Sequence, residues 1–528
     1  MKHRIAHSPI LRFLLILCSV VLTCCAFMWV DLPKQQQTQP GKLEGTASDG
    51  VAESYVPNLP EIRQLTMCTR IECEENAGSN GTRIATDRIG YSGEGYLTDI
   101  PEQTESAVSV TVDVPASQLY AITVCAGTEN QARHQLRVNG RIVAPFAIDG
   151  KNDFTCVMFS GIFLEEGEAE IALDTVEGTL DADYIELSND TSLNAISFDI
   201  ADVPCDPEAS PAAQKLYHFL YENWGKSILT GQYVSSTDNR ELQLIHDLTG
   251  QLPAIRFSEM GKSNDRQIAA AAFEWAYQQK GLVGLMWQWN APDSDSVYAK
   301  DTAFNLYNAL RKTDPEKLAM LTPDEAEAAA ARGTITEDAV MLLRDIDQIS
   351  ERLTVFSKTD IPVLWRPLHE ASGGWYWWGA YGTDAYRKLW SLVYHRMTKY
   401  HELHNLIWIW NGQSAGYLVP ADTYDIASAD IYLSPDANFG SRYEQYQSLG
   451  RVTQGKKLLA MSECSAPPKL EQMLIDHSYW TFYGQWYGEY LMAQDGNFAD
   501  TYYSSSDLCN LYNSKEALSL NDFLAIYQ

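Results

Sequence analysis

Positive charge is scarce in this chain: 39 Lys and Arg stand against 69 Asp and Glu in 528 residues, a formal net charge of −30. A surface of that sign repels phosphate backbones and anionic lipid, so nucleic acid is excluded as a natural partner while a neutral substrate is not. Phosphoryl transfer lacks a Gly-rich anion cradle or a Lys at the end of any strand-like run. A Ser-His-Asp hydrolase, which needs a strained nucleophile elbow, is not the expectation. No CxxC pair suggests zinc, and His401 and His404 in the string HELHN are only three apart, a weak match to a metal site. Cysteine is sparse after the first thirty residues: Cys68, Cys73, Cys125, Cys156, Cys205, Cys464 and Cys509. An odd number cannot all pair internally, and structural use is the expected one. What is abundant is aromatic: 14 Trp and 29 Tyr, rings with a polar tip that suit the stacking of sugars.

The amino terminus reads as an export signal. Lys2, Arg4 and Arg12 precede an apolar run from Phe13 to Val30. Cys24-Cys25-Ala26 offers a small-residue cleavage site, yet a run of that length also suits an uncleaved anchor, and either cysteine a lipid. Each alternative takes the protein out of the cytoplasm, to an extracellular or cell-surface location. The only membrane contact expected is this N-terminal one; oligomeric state is not legible.

Residues 31–60 are polar and small, a flexible tether. From 61 to 190 the texture is short strands broken by Gly, Asn and Asp, with Asn139-Gly140 as a hairpin signal between two alternating runs. This predicts an all-β sandwich. From 195 to 528 apolar runs alternate with helical stretches. The runs are SILTGQY, LPAIRF, GLVGLMW, IPVLW, NLIWIW, DIASADIY, KLLAMSE and, less clearly, YWTFYGQW. Eight strand–helix units predict a (β/α)8 TIM barrel.

Reactive groups of such a barrel sit where its strands end. After IPVLW comes Arg366-Pro367-Leu368-His369-Glu370 and then an aromatic string from Trp375 to Trp378; after KLLAM comes Ser462-Glu463-Cys464. Trp287-Gln288-Trp289 and Trp410-Asn411 end two further runs. Two carboxylates facing each other across a mouth lined by aromatics fit glycosidic bond cleavage, one attacking and the other donating a proton. Cys464 is expected to be buried and inert, and Trp377 and Trp378 to pack their loop or line the cleft.

The stretch VLWRPLHEASGGWYWWG resembles glycoside hydrolase family 26, with ILTGQY, LVGLMWQWNAP, LIWIWN, SADIY and MSEC in matching order. The resemblance implies a secreted retaining endo-β-mannanase in which Glu370 is the acid/base and Glu463 the nucleophile. It further implies that His369 and Trp375 line the subsite of the attacked sugar, that Tyr432 orients the nucleophile, and that Arg366 keeps the carboxylates ionised. Trp287 and Trp486 become stacking walls. No cofactor is implied for catalysis, and the expected partner is β-mannan or a related plant polysaccharide. The family's third-strand Trp-His-Trp reads Trp-Gln-Trp here, which leaves mixed-linkage β-glucan and β-1,3-xylan open as substrates. A non-catalytic glycan-binding protein is the alternative of a different class. The front domain, through RIECE, GYSGEGY and DYIEL, resembles a carbohydrate-binding module of family 35 or 6, which implies a structural Ca2+ held by Glu72, Glu74 and Asp183. Glu72 and Glu74, two apart on a strand, are expected to point the same way.

Overall fold

The computed structural model describes residues 65–527 apart from 77–80, 151–152, 191–195, 262 and 436–439. The expected export segment and tether, residues 1–60, lie outside the described residues. Among the described residues no helix is long and apolar enough to cross a membrane.

The front region is a β-sandwich. A six-stranded sheet runs Arg83–Ala85, Tyr96–Thr98, Asp181–Asn189, Gln118–Gly127, Thr155–Leu164, with Cys68–Glu72 also paired to Asp181–Asn189. A four-stranded sheet runs Thr104–Val114, Gly167–Glu177, Ala132–Val138, Arg141–Ile148. Alternating Val108, Val110, Val112 and Val114 join Ile122, Val124, Ile171, Leu173 and Ile185 in one buried core. Asn139 and Gly140 form the two-residue hairpin loop with φ of 47° and 75°, the left-handed pair that matches the twist of the flanking strands. Cys125 and Cys156 face each other on neighbouring strands and form a disulfide, which leaves the other five cysteines of the described residues free.

After it in the chain comes a closed barrel of eight parallel strands. These are β1 (Gly231–Tyr233), β2 (Ile255–Gly261), β3 (Leu282–Gln288), β4 (Val363–Arg366), β5 (Leu406–Trp410), β6 (Ile426–Ile431), β7 (Leu458–Cys464) and β8 (Tyr483–Gln485). Each overlaps one of the eight apolar runs, the short eighth included, and β2, β3, β4 and β7 continue past the end of theirs. The barrel is plugged by Phe257, and glycines make room for it. A Cβ on Gly231 or Gly284 would lie 2.4 or 2.1 Å from the ring. Tyr233 stacks on the same ring at 5.0 Å. Side chains in the same alternation phase one step further along the strands therefore reach the mouth.

The surrounding helices follow their sequence signals. Pro323–Ala331 starts with a Thr322–Glu325 capping box and proline in its first turn. Glu337–Lys358 buries Ala339, Leu342, Leu343, Ile346, Ile349 and Leu353 along one face.

Candidate active site

Arg366 ends β4 with its guanidinium buried inside the mouth. Nη1 donates to both carboxylate oxygens of Asp430 at 3.0 and 2.9 Å, and Nη2 donates to Glu463 Oε1. Tyr432 donates its hydroxyl to Glu463 Oε2 at 2.7 Å. Both oxygens of Glu463 are thus held, one by a cation and one by a neutral donor.

Two consecutive residues of β7 face inward. Pairing between β6 and β7 slips by one residue, so that Ala429 opposes Met461 while Asp430 opposes Glu463. Such a bulge re-aims side chains. Ser462 Oγ donates to Asp430 Oδ1 at 2.6 Å, while Glu463, next in the chain, reaches Arg366. Asn411, just past β5, joins Ser462 Oγ (2.9 Å) to Asp430 Oδ1 (3.3 Å). Asp430, Asn411 and Ser462 were not among the residues expected to form the site. A regular alternation along β7 hides the inward pair, although SADIY and MSEC carry two of the three.

Glu370 comes from the turn after β4, where Leu368 and Glu370 both have left-handed backbone, φ 52° and 50°. Each such residue costs on the order of 1 kcal/mol and persists only where its surroundings over-determine it. Here they do. The Glu370 N–H donates to the Asn411 carbonyl at 2.8 Å and to its Oδ1 at 2.9 Å, while Trp378 Nε1 donates to the His369 carbonyl at 2.8 Å. The turn brings Glu370 over the mouth, where carboxylate oxygens of Glu370, Asp430 and Glu463 lie within 4.8 Å of one another.

Three acids this close cannot all ionise beside one arginine. Burial, then Asp430 and Glu463, push the Glu370 carboxyl up, and it has no direct bond to the guanidinium. Burial and Asp430 also push Glu463 up, but Arg366 and the Tyr432 hydroxyl pull against them. Glu463 is therefore the first of the pair to lose its proton and Glu370 the one to keep it. Three carboxylates are also a donor set for a cation, but the positive charge between Asp430 and Glu463 is already that of Arg366.

The aromatic residues divide. Trp375 is 41% exposed beside the turn, its ring open to solvent. His369 is buried against Tyr376 (4.8 Å) and Trp378 (5.3 Å), and burial, then Arg366, holds its ring well below the usual imidazole range and so neutral. Trp486 is half-buried, tilted on Tyr233 at 4.7 Å and stacked on Tyr487 at 4.8 Å. Trp287 is not a wall of the cleft. On β3 the inward phase belongs to Gly284, Met286 and Gln288, so Trp287 points outward, buried and stacked on Trp289 at 4.0 Å. Trp377 and Trp378 are wholly buried and pack their loop. Cys464 is buried too, and burial raises its thiol. One string has the form of a nucleophile elbow, Gly412-Gln413-Ser414-Ala415-Gly416. Ser414 has ordinary extended backbone, φ −138° and ψ 141°, and among the described residues no histidine bonds its hydroxyl.

In the sandwich, the strand ends at Glu72 and Glu74 lies in the helical turn Cys73–Asn76, so the two acids do not share a strand face. They still meet at one loop with Asp183. Ser92 Oγ donates to Glu72 Oε2 (2.5 Å), the Ser92 N–H to Asp183 Oδ1 (2.8 Å) and the Glu94 N–H to Glu74 Oε1 (2.8 Å). Glu74 Oε2 and Asp183 Oδ2 are buried without a partner, which an oxygen-loving cation would satisfy. A cleft at the loops of the same sandwich, unforeseen from the sequence, is built on the Arg88–Asp181 ion pair (2.8 Å), Tyr96 and Asp99.

Residues 205–514, more than half of the chain, match the model of glycosyl hydrolase family 26. The chain belongs to that family. Residues 69–189 match the carbohydrate binding module of family 35. Mannan endo-1,4-beta-mannosidase A of Piromyces sp is 29% identical over 468 residues, which covers 85% of this chain and 72% of that protein. The mannan endo-1,4-beta-mannosidase of Thermothelomyces thermophilus is 29% identical over 483 residues, 88% of this chain and 92% of that one. The crystal structure of the Podospora anserina GH26-CBM35 beta-(1,4)-mannanase superposes with a TM-score of 0.58 at 26% identity, covering 87% of this chain and 99% of the other. The family 26 chain is thus a glycoside hydrolase with a carbohydrate-binding sandwich preceding a TIM barrel in the chain.

Proposed function

We propose that this family 26 enzyme is an exported endo-β-1,4-mannanase acting by double displacement on mannan, glucomannan or galactomannan. The observation that carries the mechanism is the carboxylate cluster, within 4.8 Å, with its two glutamates in unlike surroundings. A retaining pair stands about 5–5.5 Å apart and an inverting pair about 6.5–9.5 Å, the extra room being for water. In this reading Glu463, ionised against Arg366, attacks the anomeric carbon. Glu370 gives its proton to the departing glycosidic oxygen. Glu370, now a carboxylate, then takes a proton from water, which displaces Glu463 from the glycosyl-enzyme and leaves the β configuration. Tyr432 keeps the attacking carboxylate in one orientation throughout. Trp375 and Trp486 are the stacking surfaces.

The choice of mannan is supported by the relatives, which are mannan endo-1,4-beta-mannosidases over most of this chain's length. The sandwich would hold the enzyme near polysaccharide and so raise the local substrate concentration without altering the chemistry. A Ca2+ bound by Glu72, Glu74 and Asp183 would brace that sandwich and take no part in hydrolysis. The N-terminal segment would deliver the protein outside the cell.

The test is the release of reducing ends from glucomannan, galactomannan, lichenan and β-1,3-xylan by protein lacking residues 1–30. The expected result is cleavage of the two mannans into a spread of oligosaccharides, with little from the others. Cleavage of lichenan or xylan instead moves the specificity and keeps the chemistry, while silence on all four overturns the enzymatic reading.

A further inference from the structure

Asn411 is the first residue past β5 and is wholly buried. Both of its oxygens face the turn after β4: the Glu370 N–H donates to its carbonyl at 2.8 Å and to Oδ1 at 2.9 Å. The other end of the amide faces β6 and β7. Nδ2 donates to Ser462 Oγ (2.9 Å), to the Ser428 hydroxyl and carbonyl (3.1 and 3.2 Å) and to Asp430 Oδ1 (3.3 Å). These partners fix which end points where. Turned over, the amide would set an oxygen against the Asp430 carboxylate and its own N–H groups against the N–H of Glu370.

Each end leads to one glutamate, although Asn411 bonds neither glutamate carboxyl. On the acceptor side lies the root of Glu370, whose left-handed backbone (φ 50°) is held by this N–H. On the donor side lies Asp430, which takes two bonds from Arg366, the cation that donates to Glu463 Oε1. Ser462, the residue before Glu463, meets the same Asp430 oxygen at 2.6 Å. A single side chain from β5 thus ties the turn of one glutamate to the support of the other. A neutral amide suits the place: a further cation would favour loss of the Glu370 proton, and a further acid would oppose ionisation of Glu463.

We propose that Asn411 is a positioning residue that sets Glu370 relative to Glu463. Its acceptor end holds the turn of the proton donor, and its donor end braces the anion that keeps Arg366 on the nucleophile. This rests on the reading of Glu370 as acid/base and Glu463 as nucleophile. A retaining pair works at about 5–5.5 Å, and a misplacement of about 1 Å can cost on the order of 100-fold in rate.

The test compares kcat/KM of Asn411→Ala with that of the wild type on two substrates. Mannohexaose needs the Glu370 proton for its departing oxygen; a dinitrophenyl β-mannoside does not. The aryl mannoside should lose about tenfold, the usual size for one hydrogen bond to a charged group, because the brace on Asp430 is gone. Mannohexaose should lose about 100-fold, since its proton donor is misplaced as well. A role confined to stability would lower both substrates by one factor. Should Asn411→Ala fail to fold, Asn411→Ser leaves a polar group in the buried gap that is too short to span both ends, and it is read by the same ratio. A loss on mannohexaose that does not exceed the loss on the aryl mannoside, or an undiminished rate on the aryl mannoside, overturns the inference alone. A wild-type chain silent on both substrates overturns the parent reading, and the inference with it.

Discussion

Tyr432 donates its hydroxyl to Glu463 Oε2 at 2.7 Å, on the side of the carboxylate that Arg366 does not reach. The bond favours the ionised form of Glu463 and, with that of Arg366 to the other oxygen, fixes the orientation of the carboxylate that attacks. Tyr432→Phe should therefore lower kcat by about 10- to 100-fold, as expected for one hydrogen bond to a charged group. Glu463 then holds its proton to a higher pH, so the acidic limb of the pH–rate profile should move up. A profile unchanged in position and height would show that the hydroxyl does neither.

The whole profile should be bell-shaped, with signs set by which proton each step needs. Glu463 must be ionised to attack, so rate falls as pH drops through its titration; Glu370 must be protonated to assist departure, so rate falls again as pH rises through its own. Both carboxyls are displaced upward by burial and by Asp430, which moves the bell to higher pH than two ordinary carboxyls would give. A maximum at or below the ordinary carboxylate range would contradict that electrostatic picture.

Leaving groups separate the two glutamates. Glu370→Ala should cut hydrolysis of mannan by about 10²- to 10⁴-fold, the usual contribution of a general acid. It should lose far less in the first step on a dinitrophenyl β-mannoside, whose phenolate departs without a proton. Glu463→Ala should lose both. Equal losses on the two substrates for Glu370→Ala would remove it as proton donor.

Calcium should matter to the sandwich and not to the chemistry. Chelation with EDTA should lower the melting temperature of the full chain, calcium should restore it, and turnover of short oligosaccharides below that temperature should stay the same. A melting curve indifferent to EDTA would leave Glu74 Oε2 and Asp183 Oδ2 to some other partner.

Buried parallel strands are near-continuous apolar runs, and for that reason all eight barrel strands were legible, even β8 with its three residues. Glu370 and Glu463 stood out in the sequence because the carboxyl ends of the barrel strands and the turns after them share one rim. What stayed hidden depends on phase. Trp287 and Gln288 are neighbours at the end of β3, and only the alternation from Gly284 through Met286 tells which of them faces the cleft. Ser462 and Glu463 break that alternation at a bulge, so the link from Ser462 through Asp430 to Arg366 could not be counted off from residue spacing. Glu74 sits past the end of its strand, so the two-residue spacing from Glu72 does not set where it points, yet both acids meet the loop of Ser92 and Glu94.

The stereochemistry of the first product tests the account most directly. Wild-type enzyme acting on mannohexaose in D2O, followed by proton NMR from the first minutes, should release reducing ends as the β anomer, with the α anomer appearing only as mutarotation proceeds. Initial release of the α anomer would mean single displacement by water, and would contradict a covalent role for Glu463.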